Sequence, residues 1–298
     1  MKKWIRRLGI GFGGLVALVL LLMAVAYGVS RRGLSREWEV AGAALPVTRD
    51  PAQIARGRHL ATAVTKCTDC HGADLGGSVF IDGMPMGVLI ASNLTAGKGG
   101  ALPRYTDAQL EAAIRHGIGA NRRGLLFMPS DEYQHLSDED AAAIIAYIRS
   151  VPPVDRELGG SRVGPLGHVL YATGQLPLVP AERIDHSPRA RRVPPAGVTR
   201  EYGQYLVSVG GCTGCHGSNL GGTSGHGPAS PNITPAGVVA SWREADWIRA
   251  MRTGKRPDGT AIKDPMPWKS VGMMSDDELR AMWMYLGTMP RVETPAAS

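Results

Sequence analysis

The sequence predicts an all-α chain in which two similar helical domains follow an N-terminal transmembrane helix. Three observations support this prediction. A five-residue cysteine motif occurs twice, apolar residues recur at spacings of three and four in both halves, and residues 8–30 contain no charged side chain. The chain has 298 residues, a length typical of about two domains.

The N-terminal apolar segment, residues 8–30, would span about 34 Å as a helix, which is enough to cross a bilayer core. Basic residues within positions 2–7 precede it and favour a cytoplasmic N-terminus. A cleaved signal peptide is the alternative, because Ala24-Val25-Ala26 resembles a small-residue cleavage site. We favour a retained membrane anchor, since Arg31-Arg32 resembles an interfacial stop.

The repeated motif is CTDCH at Cys67–His71 and CTGCH at Cys212–His216, and it uses all 4 cysteines of the chain. C-x-x-C-H is the attachment signature of c-type haem, in which both thiols bond to the porphyrin and the adjoining imidazole ligates iron. The residues predicted to attach haem or ligate its iron are Cys67, Cys70, His71, Cys212, Cys215 and His216.

Two other interpretations of the cysteine pairs are possible in principle: redox dithiols, or one four-cysteine zinc site. Zinc ribbons usually separate their pairs by roughly 15 to 20 residues, and Cys70 and Cys212 are much farther apart. Neither interpretation explains a histidine in the same place twice. The sequence therefore predicts two covalently attached haem c groups.

A helix is predicted to lead into each motif, with Gly57 in the first and Gly203 in the second. Glycine-rich loops follow at 72–77 and 217–222, where glycine suits a chain that passes close to a porphyrin edge. The pairs Asn93 with Thr95 and Asn232 with Thr234 come next. They either bind haem propionates, steady the ligand loop or form turns.

A further helix in each half is predicted from a capping box, at Thr106–Gln109 and at Ser241–Glu244. These helices should end at Gly117 and Gly254. A final helix in each half begins at a serine cap and ends before a proline. Its caps are Ser137 and Ser275, and its apolar stripes are Ala141, Ile144, Ile145, Ile148 and Leu279, Met282, Trp283, Leu286.

These correspondences divide the chain into six parts. They are a membrane anchor at 1–30, a tether at 31–50, a first domain at 51–153, a Pro/Gly/Arg-rich connector at 154–198, a second domain at 199–291 and a tail at 292–298. The connector is expected to lie over both domains in extended form, with a short helix near 165–173.

The second axial ligand of each iron is predicted to be Met128 in the first domain and Met266 in the second. Both precede a proline and stand at the same distance from the final helix. Thioether sulfur favours ferrous haem and raises the potential relative to two imidazoles. The competing methionines are Met84, Met86, Met273 and Met274.

The remaining histidines are weaker ligand candidates. His59 should pack between the first and last helices, because it corresponds to Tyr205. Those expected at the surface or in loops are His116, His135, His168, His186 and His226. Tyr105 and Trp242 are aromatic residues that can reach a propionate or simply pack.

The formal charge of the chain is +7, but no basic run is interleaved with stacking aromatics. The sequence therefore does not indicate nucleic-acid binding. A modest positive field suits an acidic partner or phospholipid headgroups.

Each half, from its glycine-containing first helix to its Ala-Tyr-Ile or Met-Tyr-Leu final helix, resembles a class I cytochrome c domain. The pair is similar to dihaem cytochromes and to cytochrome subunits of membrane-bound alcohol and aldehyde dehydrogenases. Those subunits typically carry three haem motifs and this chain has two, so a stand-alone carrier remains open. The resemblance implies two tandem cytochrome c domains, each wrapped round a covalent haem.

The function implied is single-electron transfer by a protein anchored in the bacterial cytoplasmic membrane, with its haem domains in the periplasm. A dehydrogenase or quinol-oxidising complex would be the donor, and a soluble cytochrome or terminal oxidase the acceptor. The alternative is a haem enzyme, a peroxidase or sulfur-compound dehydrogenase with one catalytic haem. A haem-based sensor is a third interpretation.

Overall fold

The computed structural model describes residues 2–187, 190–223 and 229–294. The chain begins with a 33-residue helix, α1, at Lys2–Leu34. Its segment Trp4–Leu34 is long and apolar enough to cross a membrane. Apolar side chains along this segment are exposed. Such a helix is expected either to lie in a bilayer or to be cleaved from the chain as a signal peptide.

Two helical domains follow, and their elements occur in the same order, as the sequence predicts. The first contains α2 at Pro51–His59, a π-helical turn at Leu60–Val64, α3 at Cys67–His71, α4 at Asp107–His116, α5 at Ser130–Tyr133 and α6 at Asp138–Ser150. After α7 at Pro165–Ala172, the second contains α8 at Arg200–Val209, α9 at Cys212–His216, α10 at Glu244–Thr253, α11 at Trp268–Val271 and α12 at Asp276–Gly287.

Most of the predicted helix ends are confirmed. Ser137 caps α6, Ser275 caps α12, and Thr106 forms the expected capping box of α4. The box predicted at Ser241 is wrong, because α10 begins later with Arg243 as its N-cap. There the Arg243 amide donates a hydrogen bond of 3.0 Å to Asp246.

The first and last helices of each domain cross at a glycine. A Cβ atom on Gly57 would lie 1.8 Å from the carbonyl oxygen of Ala143, and one on Gly203 would lie 1.9 Å from that of Ala281. Neither distance is compatible with a side chain. The absence of a side chain therefore sets how closely α2 approaches α6, and α8 approaches α12.

The first domain also contains a small sheet that the sequence analysis does not anticipate. Strand β1 at Ser78–Gly83 and strand β2 at Gly87–Ala91 form an antiparallel hairpin. Strand β3 at Arg162–Val163, from the connector, pairs with the other side of β2. The hairpin follows the first predicted haem motif after a short loop. It therefore forms part of the surroundings of the first predicted haem site.

Residues 31–50 differ from the expected tether. Helix α1 continues to Leu34, and the chain beyond it lies against the first domain. The Ala43 amide donates a 2.9 Å hydrogen bond to Glu111, and a Cβ atom on Gly42 would collide with the Ala108 carbonyl. This segment therefore packs on α4 instead of extending freely from the membrane.

The connector contacts both domains. The Asn93 amide nitrogen donates a 2.7 Å hydrogen bond to the Val154 carbonyl, and β3 extends the sheet of the first domain. Farther along, Pro177, Pro180 and Arg183 face a cavity of the second domain. The predicted short helix is present as α7.

The domains meet through two acidic residues at equivalent positions of their last helices. Asp140 of the first domain accepts a 2.7 Å hydrogen bond from the Tyr205 hydroxyl of the second. Glu278 of the second lies 2.8 Å from the His59 imidazole of the first, and 3.5 Å from Arg56. His59 therefore pairs across the interface, which corrects the expectation that it packs within its own domain.

The helix crossing in the second domain can be tested with Gly203→Ala. The new methyl group overlaps the Ala281 carbonyl, so helix α8 must shift, and we expect the free energy of unfolding to fall by about 1 to 3 kcal/mol. Urea denaturation of the haem-loaded protein measures this change.

Gly287→Ala is the matched control, because Gly287 is also helical and a Cβ atom there meets no atom within 4 Å. It should leave stability unchanged or raise it slightly, since alanine is the better helix former. Equal losses in the two variants would show that the crossing is not tightly packed.

The interface should also contribute to acid stability. Burial raises the pKa of Glu278, but hydrogen bonds from His59 and the Ser275 amide outweigh that effect. Together with the charge of Arg56 they lower the pKa from 4.5 to about 2. Because the folded-state value is depressed, this stabilisation is complete above pH 4.5 and is lost as the pH falls toward 2.

Glu278→Gln should therefore lower the free energy of unfolding by about 2 to 3 kcal/mol at pH 7, and the difference from the parent should shrink between pH 4.5 and 2. Denaturant titrations across this range measure it. Asp277→Asn is the control, since the Asp277 side chain is 66% exposed. A pH-independent difference for Glu278→Gln would contradict the assigned role.

Candidate functional site

Two cavities contain the residues predicted from the repeated motif, one in each domain. The first has a volume of about 420 Å³ and the second about 660 Å³, sizes typical of cofactor sites. The first is lined by Cys67, Cys70, His71 and Met128. The second is lined by Cys212, Cys215, His216 and Met266.

The backbone around each motif turns sharply on both sides. Helix α3 follows Lys66, which has φ +53°, and α9 follows Gly211, which has φ +68°. The glycines that follow the motifs, Gly72 and Gly217, have φ +79° and +80°. The left-handed residues before and after the motif make the single helical turn possible, and this turn directs both cysteines and the histidine to one side.

Both motif histidines are oriented by a backbone carbonyl. The Nδ1 atom of His71 lies 2.7 Å from the Ser92 oxygen, and that of His216 lies 2.7 Å from the Pro231 oxygen. This contact places the proton on Nδ1 and leaves Nε2 free to bind a metal. Burial lowers the pKa of both imidazoles, which favours the neutral form that ligates iron.

Three of the cysteines, Cys67, Cys70 and Cys212, are partly buried, whereas Cys215 is exposed. Burial raises the pKa of Cys67 and Cys70, and it raises the pKa of Cys212 to about 11. The reactive thiol of a redox dithiol usually has a lowered pKa instead. The two cysteine pairs also line different cavities, and among the described residues no cluster of three or more His, Cys, Asp or Glu side chains is arranged to hold a metal ion.

The rest of each cavity wall fits a flat apolar group. Leu94, Leu102 and Ile144 line the first cavity, and Ile233, Trp247 and Leu286 line the second. Tyr105 and Trp242, noted in the sequence, line the first and second cavities respectively. A porphyrin with two attached thiols, an imidazole and a thioether would match this set of side chains.

The competing methionines are placed less suitably than Met128 and Met266. Met273 is exposed and Met274 is buried away from the cavity, while Met84 lies at the tip of the β1–β2 hairpin. None of these residues, nor Met86, lines either of the two cavities. Two other methionines, Met251 and Met282, do line the second cavity, from the buried faces of α10 and α12.

Asn93 and Asn232 form turns that join separate parts of their domains. The Asn93 Oδ1 atom accepts hydrogen bonds from the amide and the hydroxyl of Thr95, at 2.9 and 2.8 Å. Asn232 bonds to Thr234 in the same way, at 2.8 and 2.7 Å. Its Nδ2 atom donates 2.6 Å to the Val292 carbonyl, the equivalent of the bond from Asn93 to Val154. All four side chains are buried among protein partners.

Other histidines in the described part of the chain do not line either cavity. His116 is buried and lies 3.0 Å from His186, so the expectation of a surface position was wrong for His116. His168 contacts Ser30 of α1. His226 falls outside the described residues.

The two cavities share part of their walls, a feature that the sequence analysis did not identify. The residues that line both are Lys66, Phe127, Pro129 and Tyr133. Lys66 reaches across the domain boundary and donates to the Gly210 carbonyl. It corresponds to Gly211 in the second motif, and both residues have positive φ. The signal available in the sequence was a lysine at a position where the other repeat has glycine.

Two hydrogen bonds cross between the domains beside this shared wall. Ser270, which follows the second methionine loop, donates 2.7 Å to Asp69 inside the first haem motif. In the reverse direction, Thr213 inside the second motif donates 2.8 Å to Glu132, which follows the first methionine loop. Each motif is therefore hydrogen-bonded to the short helix, α5 or α11, that follows the candidate methionine of the other domain.

Comparison with known families agrees with this duplication. Residues 52–148 match the family model described as cytochrome c oxidase, cbb3-type, subunit III, and residues 201–290 match the model described as cytochrome c.

Similar proteins include the fructose dehydrogenase cytochrome subunit of Gluconobacter japonicus, 30% identical over 82% of this chain and 54% of the relative. The cytochrome c subunit of a quinone alcohol dehydrogenase from Komagataeibacter europaeus is 28% identical over 85% of this chain and 60% of that protein. A dihaem c-type cytochrome of Cereibacter sphaeroides is 27% identical over 83% of this chain and 92% of its own length.

The chain spans little more than half the length of these two dehydrogenase subunits but nearly all of the dihaem cytochrome. Each of the two matched ranges contains one haem motif and most of the residues that line one cavity. The chain is therefore a dihaem member of the cytochrome c family, with two covalently attached haem c groups.

Proposed function

We propose that this cytochrome is tethered to the cytoplasmic membrane by α1 and carries single electrons on the periplasmic side. A dehydrogenase or quinol-oxidising complex would supply the electrons, and a soluble cytochrome or terminal oxidase would accept them. The names of the similar proteins support a dehydrogenase as partner, since they include cytochrome subunits of fructose and alcohol dehydrogenases. The apolar helix α1 supports the tether.

The proposed iron ligands are His71 with Met128, and His216 with Met266. Cys67, Cys70, Cys212 and Cys215 are the proposed thioether attachment sites. When bound, haem supplies a one-electron couple, and two protein ligands per iron allow exchange with little rearrangement. The protein contributes the oriented imidazoles, the thioethers and a largely apolar wall that excludes water. A methionine ligand favours ferrous iron, so both centres should have moderately high potentials.

The shared wall is the observation that best supports electron exchange between the two centres. Phe127, Pro129 and Tyr133 each face both cavities, so a single layer of side chains lies between parts of the two sites. Tyr133 is held by a hydrogen bond of 2.5 Å from its hydroxyl to the Thr65 carbonyl. A fixed and thin separation of this kind suits tunnelling from one haem to the other.

The haem-enzyme alternative requires an iron with an open or easily displaced position. A methionine lines each cavity together with the motif histidine, so each iron would have a second protein ligand, which supports the carrier function instead. Rapid binding of carbon monoxide or cyanide to the untreated protein would favour the enzyme.

Met128→Ala and Met266→Ala should each remove one of two sulfur-to-iron ligands. We expect each variant to lose about half of the near-infrared absorption band that marks methionine ligation in the ferric protein, and its altered haem to shift to a lower potential. Near-infrared spectroscopy and potentiometric titration of the purified full-length protein measure these changes.

Met273→Ala is the control, because Met273 is 53% exposed and lies outside the second cavity. It should leave the band and both potentials unchanged. An undiminished band in Met128→Ala or Met266→Ala would remove that residue as a ligand. For the second site, Met251 and Met282 would then be the residues to test.

A further inference from the structure

We propose that the hairpin tip at 83–87 and the first turns of α7, residues 165–170, rest on the phospholipid bilayer. We call these two segments the membrane seat. The inference rests on the proposed tether, because it requires α1 to cross the membrane. Beyond the tether, the proposal states that the first haem domain itself contacts the lipid surface, so that α1 is not its only contact with the membrane.

Helix α7 lies along the last turns of α1. His168 Nδ1 is 2.7 Å from the Ser30 hydroxyl, and the His168 ring packs edge-on against Tyr27 with centroids 4.8 Å apart. Farther on, the Tyr171 hydroxyl lies close to Gly33. Residue numbers therefore increase in the same direction along both helices. The N-terminal end of α7 points back toward the apolar part of α1.

The depth of this contact follows from the length of α1. The segment from Leu8 to Tyr27 rises about 30 Å, the thickness of a hydrocarbon core, with Arg7 and Arg31 flanking it. Tyr27 then lies at the membrane interface, a position favoured by tyrosine. His168 contacts Tyr27, and Pro165 and Leu166 lie at the start of α7, nearer to the membrane than His168. These two residues therefore lie at or just below the level of the interface.

The hairpin tip is attached to the same end of α7. The Leu166 amide donates a 3.1 Å hydrogen bond to the Pro85 carbonyl, and the Gly164 amide donates 2.8 Å to that of Met86. Met84, at the tip, is 73% exposed, and Leu166 is 40% exposed. These two apolar side chains therefore belong to one rigid edge at the level where α1 leaves the bilayer.

The charge distribution fits a lipid surface. The segment 163–181 contains no Asp, Glu, Lys or Arg, although it includes exposed residues. Arg31 and Arg32, in the last turn of α1, suit the phosphates of the headgroups. Asp82 and Arg162 flank the hairpin tip, and each is paired with Val88 in the sheet. The charged residues of the sheet nearest to the tip are therefore one acidic and one basic residue.

The seat would bring the first haem site close to the membrane. Phe80 lines the first cavity and precedes Met84 by four residues of the same hairpin, about 13 Å of extended chain. The opposite strand lines the same cavity through Leu89 and Ile90. A donor within or on the bilayer would therefore meet the first haem site before the second.

Depth-dependent quenching tests the seat in the full-length, haem-loaded protein. Single cysteines are introduced as Met84→Cys and Leu166→Cys, labelled with a bimane fluorophore and placed in nanodiscs of brominated or ordinary phospholipid. The ratio of the two intensities cancels quenching by haem. Labels at both seat positions should lose most of their fluorescence in brominated lipid, whereas Met273→Cys, an exposed methionine of the second domain, should not.

Val19→Cys, in the middle of α1, separates the seat from the tether. If Val19 is quenched and both seat positions are as bright as in ordinary lipid, α1 crosses the membrane and the seat proposal is wrong. If Val19 is not quenched, the proposed tether fails and the seat fails with it. Quenching at Met273 equal to that at Met84 would also overturn the seat, because the contact would then be nonspecific.

Discussion

The close crossing of the first and last helices is the contact on which both haem sites depend. Gly57 and Gly203 let the backbone of one helix touch a carbonyl of the other. In each domain the first helix leads into the cysteine motif and the last follows the methionine loop. The crossing therefore fixes the distance between the two sides of each cavity. A larger residue in place of either glycine would change that distance.

The two domains are joined by contacts that repeat the duplication of the sequence. Asp140 and Glu278 occupy equivalent places, and each binds residues from the opposite domain. Likewise, each haem motif shares a hydrogen bond with the short helix that follows the other domain's candidate methionine. Because the cysteine motifs and the short helices after the candidate methionines are among the contacting parts, the domain interface lies beside both sites.

The haem motifs, the final helices and the positions of both candidate methionines could be predicted because they depend on local chemistry and on periodic spacing. The duplication strengthened each prediction, since Met128 and Met266 support one another. The β1–β2 hairpin could not be found in this way, because the stretch between the motif histidine and the Asn-x-Thr sequence is shorter in the second half and its residues do not align with the hairpin. His59 was misplaced for a related reason: its correspondence with Tyr205 was correct, but both side chains cross to the other domain.

The shared wall restricts how the two halves can diverge. A substitution at Tyr133 or Pro129 changes the surroundings of both irons at once, so its effects at the two centres are not independent. A substitution that affects one centre alone must lie on an outer wall, which lines a single site. Three of the four shared-wall residues differ from their counterparts in the other half, since Lys66 corresponds to Gly211, Phe127 to Pro265 and Tyr133 to Val271. A change on the inner face therefore acts on both centres of this cytochrome, whereas a change on an outer face can tune one centre alone.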